Sequence, residues 1–401
     1  MLNPAYTKTI VFSTLLVFVI GVFLRLYPSA GTQGIGFDEK LYAKYVNVLS
    51  KTGLKNYPAT CQAYIEAQQE LPSAILPPTR FLYIYSAYLW QSAFGGDSLI
   101  ALHRISCLFS MLTLALSMFF AARVGGPAVI MGVTALMACA PTQIHMSQHA
   151  LIDGFFAFWA LLSVWTLWEN LQSPNRIGWL LFYGISLGLM VLAKENAAFV
   201  FAAILLLLLL NRWMQFGRVT PALLATTLIG PAAGFVLLNI LAGGPAHFIR
   251  IYELLIQKAY ALEYAIRFCD GPWYRYLVDL LLVSPLVFLL AVGEVFQITR
   301  AKKAALYFTL FIAGSYLCMA NVKYSYNLRY ANMWDLPLRY LAFAQLTTLS
   351  TSWGRYRVPL LVGIVLLLCL FELNQYRIFF VDYRLYELVS EGLLRAVRII
   401  K

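Results

Sequence analysis

Adjacent carboxylates Asp38 and Glu39 lie in GIGFDEKLYAKY, directly after the first long apolar segment, Ile10 to Leu26. A carboxylate pair adds nothing to apolar packing. Its chemistry is to take a proton or to stabilise charge at a membrane surface. The bland alternative is a helix N-cap in a solvated loop. His145, His149 and Asp153 recur at a spacing of four, which on a single helix puts all three on one face. Such a face could hold a metal ion, or it could be the wet end of two helices with Asp153 as a cap. Three cations complete the set: Arg80, Lys194 and Arg329. Lys194 either binds an anion or neutralises its neighbour Glu195 at a span end. Asp335 and Arg339 stand four apart and read as an intrahelical pair.

The elements that position these residues follow from composition. The chain has 401 residues, 61% hydrophobic and 12% charged, whereas soluble domains carry about 25% charged residues. Apolar runs such as AAILLLLLLN recur along its whole length, each long enough to cross a bilayer core. The reading is an all-α polytopic membrane protein. About eleven spans are predicted near 10–26, 99–121, 126–144, 152–169, 178–193, 197–212, 221–242, 275–298, 304–321, 335–352 and 358–375. The first has no small-residue cleavage site behind it and reads as a retained span. The net charge of +12 fits cytoplasmic loop bias and phosphate-bearing lipid ligands rather than nucleic acid.

Charge also orients the spans. Phe81 to Phe94 is short and Tyr-rich, as an interfacial helix would be. With that segment on the surface, Arg123, Arg176, Arg212, Arg218, Arg300, Lys302, Lys303, Arg355 and Arg357 fall on one side, which is then cytoplasmic. The opposite face gathers Asp38, Glu39, Glu70, Arg80, His145, His149, Asp153, Lys194 and Arg329. Residues 1–401 read as a single membrane-embedded domain. Its outer loops are 27–98, carrying the acidic motif, and 243–274, and an amphipathic surface helix is expected at 383–401.

In this order the motifs resemble the GT-C superfamily of polyprenyl-phosphate-sugar glycosyltransferases, in the branch of the protein O-mannosyltransferases and lipid A aminoarabinose transferases. FDEKLYAKY resembles the acidic motif of the first outer loop, and LPP at Leu76–Pro78 the proline pair before a juxtamembrane helix. FGGDSLIALHR, APTQIHMSQHALID, GISLGLMVLAKEN and NLRY (Asn327–Tyr330) are similar to later stations of the same pattern. Relatives often carry Lys or His just before the proline pair; here that position is Leu76, and Arg80 is the candidate substitute. The chain ends without the large soluble domain of some relatives, which weighs against a protein acceptor.

The resemblance implies a GT-C fold with interfacial helices in the first outer loop. It implies a sugar donor on a polyprenyl phosphate and an envelope acceptor, whether glycan, lipid or protein. The leaving phosphate needs fixed positive charge and no strong acid, and the acceptor hydroxyl needs a base. Direct displacement, which inverts the anomeric centre, fits Asp38 as base and Arg329 as phosphate clamp. Glu39 is expected to orient a loop or bind acceptor, and Lys194 and Arg80 are further candidates for the donor phosphate. Related enzymes place an acid at the position of Asp153 near the donor or on a metal; no cofactor is assigned beyond that open divalent-metal alternative. The expected place is a bacterial inner (plasma) membrane, with the site facing the periplasm. A lipid-linked oligosaccharide transporter or polymerase-like protein is the competing class. It would put charges along a mid-membrane path rather than at span ends. Of six cysteines, Cys61 and Cys269 fall in outer loops, either disulfide-bonded to each other or as buried thiols.

Overall fold

The computed structural model describes residues 4–27 and 35–400, with side chains described from Phe12 onward. The described residues form helices and no strand. Each predicted span falls on one helix or on a helix pair. These are α1 (Pro4–Leu26), then, after a loop with helices α2 (Phe37–Thr52), α3 (Tyr57–Glu70) and α4 (Phe81–Phe94), α5 (Ser98–Val124) and the pair α6 (Pro127–Ala138) and α7 (Pro141–Ser147). Next come α8 (Ile152–Gln172), α9 (Ile177–Ala193), α10 (Ala197–Met214) and α11 (Pro221–Ala242). A second loop holds α12 (Pro245–Ala259) and α13 (Glu263–Phe268). The pair α14 (Arg275–Val283) and α15 (Pro285–Val295), then α16 (Lys303–Met319), α17 (Asp335–Leu349), α18 (Arg357–Tyr376) and the short α19 (Ser390–Ala396) complete the chain. By length and apolarity alone, four helical stretches among the described residues suffice to cross a membrane: Ser98–Val124, Ala197–Met214, Pro221–Ala242 and Leu328–Asp382. The α6–α7 pair, bent by 57°, makes a fifth as a broken span. Pro141 and Pro285 stand at the starts of α7 and α15, where the missing N–H costs nothing within the new helix and stops the old one.

α9 and α11 meet through glycines. A Cβ on Gly230 would stand 2.7 Å from the Gly184 carbonyl oxygen, and one on Gly234 2.5 Å from that of Gly188. Two small-x-x-x-small stripes thus let backbones touch where apolar side chains alone give no advantage over lipid. Gly234→Val is expected to lower stability by about 1–3 kcal/mol through overpacking. A thermal unfolding midpoint in detergent equal to that of the wild type would show that the seam yields.

The first long loop is a tyrosine-braced platform. α2 buries Glu39, Tyr42, Tyr45, Val46 and Leu49 on one face. The segment carrying Pro77 and Pro78 has few N–H groups of its own to donate, but its carbonyls need partners. Tyr64 donates to the Ile75 carbonyl at 3.1 Å, Tyr45 to that of Leu76 at 2.7 Å and Tyr57 to that of Pro78 at 2.7 Å. This fixes the approach to Arg80, the residue before α4.

The tail differs from the predicted 383–401 helix. Helix is confined to Ser390–Ala396, and Leu388 and Leu393 are fully buried. Leu388 and Leu393 thus serve packing into the bundle, while Ile399 stays exposed.

The two ends of the bundle have different chemistry. α8 carries Asp153 in its first turn and Glu169 near its end, about 24 Å apart at helical rise. Glu169 is fully buried and takes two hydrogen bonds from Arg123, at 2.7 and 2.8 Å. Lys302 pairs with buried Glu294 at 2.8 Å on the same end. A cysteine placed at exposed Lys303 is therefore expected to react only with membrane-permeant thiol reagents, and one at exposed Lys55 with impermeant ones. Labelling of both from the same side would overturn the orientation read from loop charge.

Candidate active site

Asp38 and Arg329, 291 residues apart, meet: Arg329 Nη2 donates to Asp38 Oδ2 at 2.8 Å. Asp38 sits in the first turn of α2, and Arg329 in a 3₁₀ turn, Leu328–Trp334, that leads into α17. That turn is fixed from beneath. Arg339 on α17 pairs with Asp335 and with Glu372 of α18, each at 2.7 Å, and Gln143 of α7 donates to Asp335 at 2.9 Å. The expected Asp335–Arg339 intrahelical pair is present and extends to a second carboxylate.

Arg329 gathers two more acids. Its Nε lies 3.4 Å from Asp153 Oδ2, and its Nη1 donates to Glu387 Oε1 at 3.1 Å. Lys194 donates to the other Asp153 oxygen at 2.5 Å. Both cations lie over the Tyr330 ring, at 4.0 Å for Lys194 and 5.3 Å for Arg329. Burial holds the Lys194 ammonium below the usual lysine range, with Asp153 offsetting part of the effect. Burial raises the Glu387 carboxyl above the ordinary range, against the pull of Arg329.

Lys194 takes Asp153 rather than its neighbour Glu195 as its ion-pair partner. The chain turns between α9 and α10, so the two neighbours point to different partners. Glu195 takes Arg80, with Arg80 Nε donating at 3.0 Å and a second, shorter contact through Nη2. Arg80 also reaches the Tyr42 hydroxyl. Burial opposes ionisation of Glu195, but Arg80, with a smaller contribution from Lys194, holds the carboxyl below its ordinary range.

Glu39 is turned inward, with 3% of its surface exposed. Its two oxygens accept the backbone N–H groups of Gly36 and Ala150, each at 2.6 Å, and His149 Nδ1 lies 3.5 Å away. Burial favours the neutral form, yet these donors win and hold the Glu39 carboxyl below the usual range. Glu39 thus caps α2 and ties it to the break between α7 and α8.

That break corrects the reading of His145, His149 and Asp153 as one helix face. α7 ends at Ser147 and α8 starts at Ile152, so their partners diverge. His145 Nε2 donates to the Tyr386 carbonyl at 3.1 Å and its ring stacks on Phe380. His149 faces Glu39, and Asp153 faces Lys194 and Arg329. Among the described residues no group of three or more His, Cys, Asp or Glu side chains is arranged to hold a metal ion. Glu70 is exposed at the end of α3, outside the cluster. Cys61 and Cys269 are free, buried thiols rather than a disulfide. Cys61 Sγ faces the Leu241 carbonyl, while Cys269 packs with Ala265 and Val389. Burial pushes their thiols up to about 12 and about 11.

Beside the charged cluster runs an apolar cavity of about 550 Å³ between α9, α10, α11 and α12. Phe201, Leu228, Phe235 and Phe248 line it, and Lys194 and Glu195 stand on its wall. Charge and apolar groove therefore share one boundary. Glu387 is the member of the site that sequence reasoning missed. Its signal was an acid in a tail otherwise read as apolar and basic.

Residues 78–242 match the family described as dolichyl-phosphate-mannose-protein mannosyltransferase. The match includes Arg80, Asp153 and Lys194 and lies between Asp38 and Arg329. ArnT from Cupriavidus metallidurans in the apo state is similar over 98% of this chain and 74% of its own, at 16% identity and a TM-score of 0.57. The same protein bound to undecaprenyl phosphate gives 99% and 75%, 16% identity and 0.56. The Archaeoglobus fulgidus oligosaccharyltransferase in its apo form is similar over 92% of this chain at 13% identity and a TM-score of 0.62, and this chain spans 56% of it. A search of curated proteins finds no match. The family match covers residues 78–242, and the chain shares the fold of these membrane enzymes over nearly its whole length.

Proposed function

We propose that the chain is a membrane glycosyltransferase that moves a sugar from a polyprenyl-phosphate donor to an envelope acceptor on the non-cytoplasmic face of a bacterial inner (plasma) membrane. The observation that carries the reading is the Asp38–Arg329 pair, 2.8 Å apart, which Asp153 links to Lys194 on the wall of an apolar cavity. The family description names a dolichyl-phosphate sugar, and one structural neighbour was solved with undecaprenyl phosphate. A polyprenyl chain suits the cavity bounded by α9, α10, α11 and α12, where its phosphate would meet Lys194 on the wall, on the way to Arg329.

The chemistry is a direct displacement. The acceptor hydroxyl oxygen attacks the anomeric carbon and its proton passes to Asp38. The bond from that carbon to the phosphate oxygen breaks, and its electron pair stays on the phosphate. Arg329 stabilises the charge as it develops. One attack from the far side inverts the anomeric centre. Glu39, with both oxygens engaged by backbone donors, holds the base-bearing helix in place. Asp153 keeps Lys194 and Arg329 in register, and the Arg80–Glu195 pair anchors the first outer loop to the end of α9. The acceptor is a glycan, a lipid or a protein segment with a nucleophilic hydroxyl.

Purified protein in nanodiscs, given a panel of polyprenyl-phosphate sugars and envelope extract, is expected to release polyprenyl phosphate. NMR of the product should show the anomeric configuration opposite to that of the donor. Retention of configuration would exclude a single displacement, and no release with any donor would sink the donor reading.

A further inference from the structure

Glu387 is the third carboxylate on Arg329, and no helix carries it. It lies between Asp382 and α19 in a segment that closes over the site. Its Oε1 accepts from Arg329 at 3.1 Å and its Oε2 from Asn327 Nδ2 at 2.5 Å. The Leu328 N–H donates to the Leu388 carbonyl at 2.9 Å, and His145 donates to the carbonyl of Tyr386. The Tyr386 ring covers Gly36, two residues before Asp38. A Cβ there would stand 2.1 Å from the ring, so only glycine admits the contact.

The charge count does not suit an incoming anion. Arg329 and Lys194 face Asp38, Asp153 and Glu387, two positive charges against three negative. The Arg80–Glu195 pair adds nothing to the sum. A donor phosphate brings another negative charge and needs the guanidinium that Glu387 occupies. One carboxylate must leave. Asp153 cannot, since its side chain is 3% exposed and gripped by Lys194. Asp38 has to stay near the anomeric carbon to act as base. Glu387 is the most open of the three, at 22%, and is held on non-helical backbone.

We propose that Glu387 is an internal stand-in for the donor phosphate, which displaces it from Arg329 together with the 383–389 segment. The proposal rests on the donor reading of Arg329 given above. It makes the tail a competitor. Apparent donor affinity falls by the fraction of molecules in which the slot is open, so removing the competing charge restores it. Because Tyr386 covers Gly36 beside Asp38, the same displacement uncovers the base, and donor binding precedes acceptor binding.

The test is binding of undecaprenyl phosphate to the full chain in nanodiscs, with hydrogen exchange followed over 383–389. Glu387→Gln is expected to bind on the order of tenfold more tightly than wild type. Asn327→Ala, which frees the other Glu387 oxygen, should tighten binding to a smaller degree. In the wild type, exchange in the tail should quicken when the phosphate lipid is added; in Glu387→Gln it should be fast beforehand. A merely structural Glu387 would give unchanged or weaker binding and no lipid-dependent change in exchange, and either result overturns the proposal. Wild-type protein that does not bind the phosphate lipid at all would remove the donor reading as well. Wild-type binding with unchanged Glu387→Gln affinity removes the tail proposal alone.

Discussion

Asp38→Asn is expected to cut turnover by about a hundredfold or more, the usual worth of a positioned general base, with folding intact. The amide oxygen still accepts the hydrogen bond from Arg329 Nη2 that the carboxylate takes at 2.8 Å, so the α2 contact survives. What is lost is the ability to hold the acceptor's proton. The loss should appear in kcat, while KM for the lipid donor changes little, because the proposed reaction has Asp38 engage the acceptor rather than the phosphate. Glu39→Gln is the contrasting variant. Its oxygens already take the N–H groups of Gly36 and Ala150, so it should lower thermal stability more than it lowers kcat. Near-normal kcat in Asp38→Asn would remove Asp38 as base.

Arg329 is the second large effect, and its variants must be read with stability in mind. Arg329→Ala leaves Asp38, Asp153 and Glu387 facing one another around an empty centre. Removing one partner of a buried ionic cluster destabilises strongly, by about 3–5 kcal/mol. Loss of activity in that variant alone would prove little. Arg329→Lys keeps the charge and loses the planar fork that spans two phosphate oxygens. It is expected to fold with a thermal midpoint close to wild type. Its turnover should fall roughly ten- to a hundredfold, the worth of one charge-assisted hydrogen bond. If Arg329→Lys turns over like wild type, the guanidinium is a structural hub and the phosphate clamp lies elsewhere, with Lys194 the next candidate.

The gathering of charged residues was legible because this chain has so few of them. In an apolar bundle an isolated acid or base is costly, so Asp38, Arg80, Asp153, Lys194 and Arg329 had to find partners, and loop polarity put them on one face. Which residue pairs with which was not legible. Lys194 and Glu195 are neighbours in sequence, yet the turn between α9 and α10 sends one to Asp153 and the other to Arg80. The even spacing of His145, His149 and Asp153 concealed a break, because nothing in a count of four reveals that Ala150 gives its N–H to Glu39. The glycine stripes of α9 and α11 were present as GISLG and GPAAG, and their pairing became evident only with the helices side by side. Glu387 was hidden by the tail's apolar spacing, which suits burial against the bundle as well as it suits a bilayer surface. Cys61 and Cys269 shared a face without sharing a neighbour.

The central claim is tested most directly in cells. Lipid-linked sugars and envelope glycans are compared by mass spectrometry with the gene deleted, then restored as wild type or as Asp38→Asn. The account predicts that deletion raises one polyprenyl-phosphate sugar and removes one sugar-bearing envelope species. Wild type should reverse both changes, and Asp38→Asn, present at equal level in the membrane, should reverse neither. An unchanged pool of lipid-linked sugars and unchanged envelope glycans on deletion, or full reversal by Asp38→Asn, would contradict it.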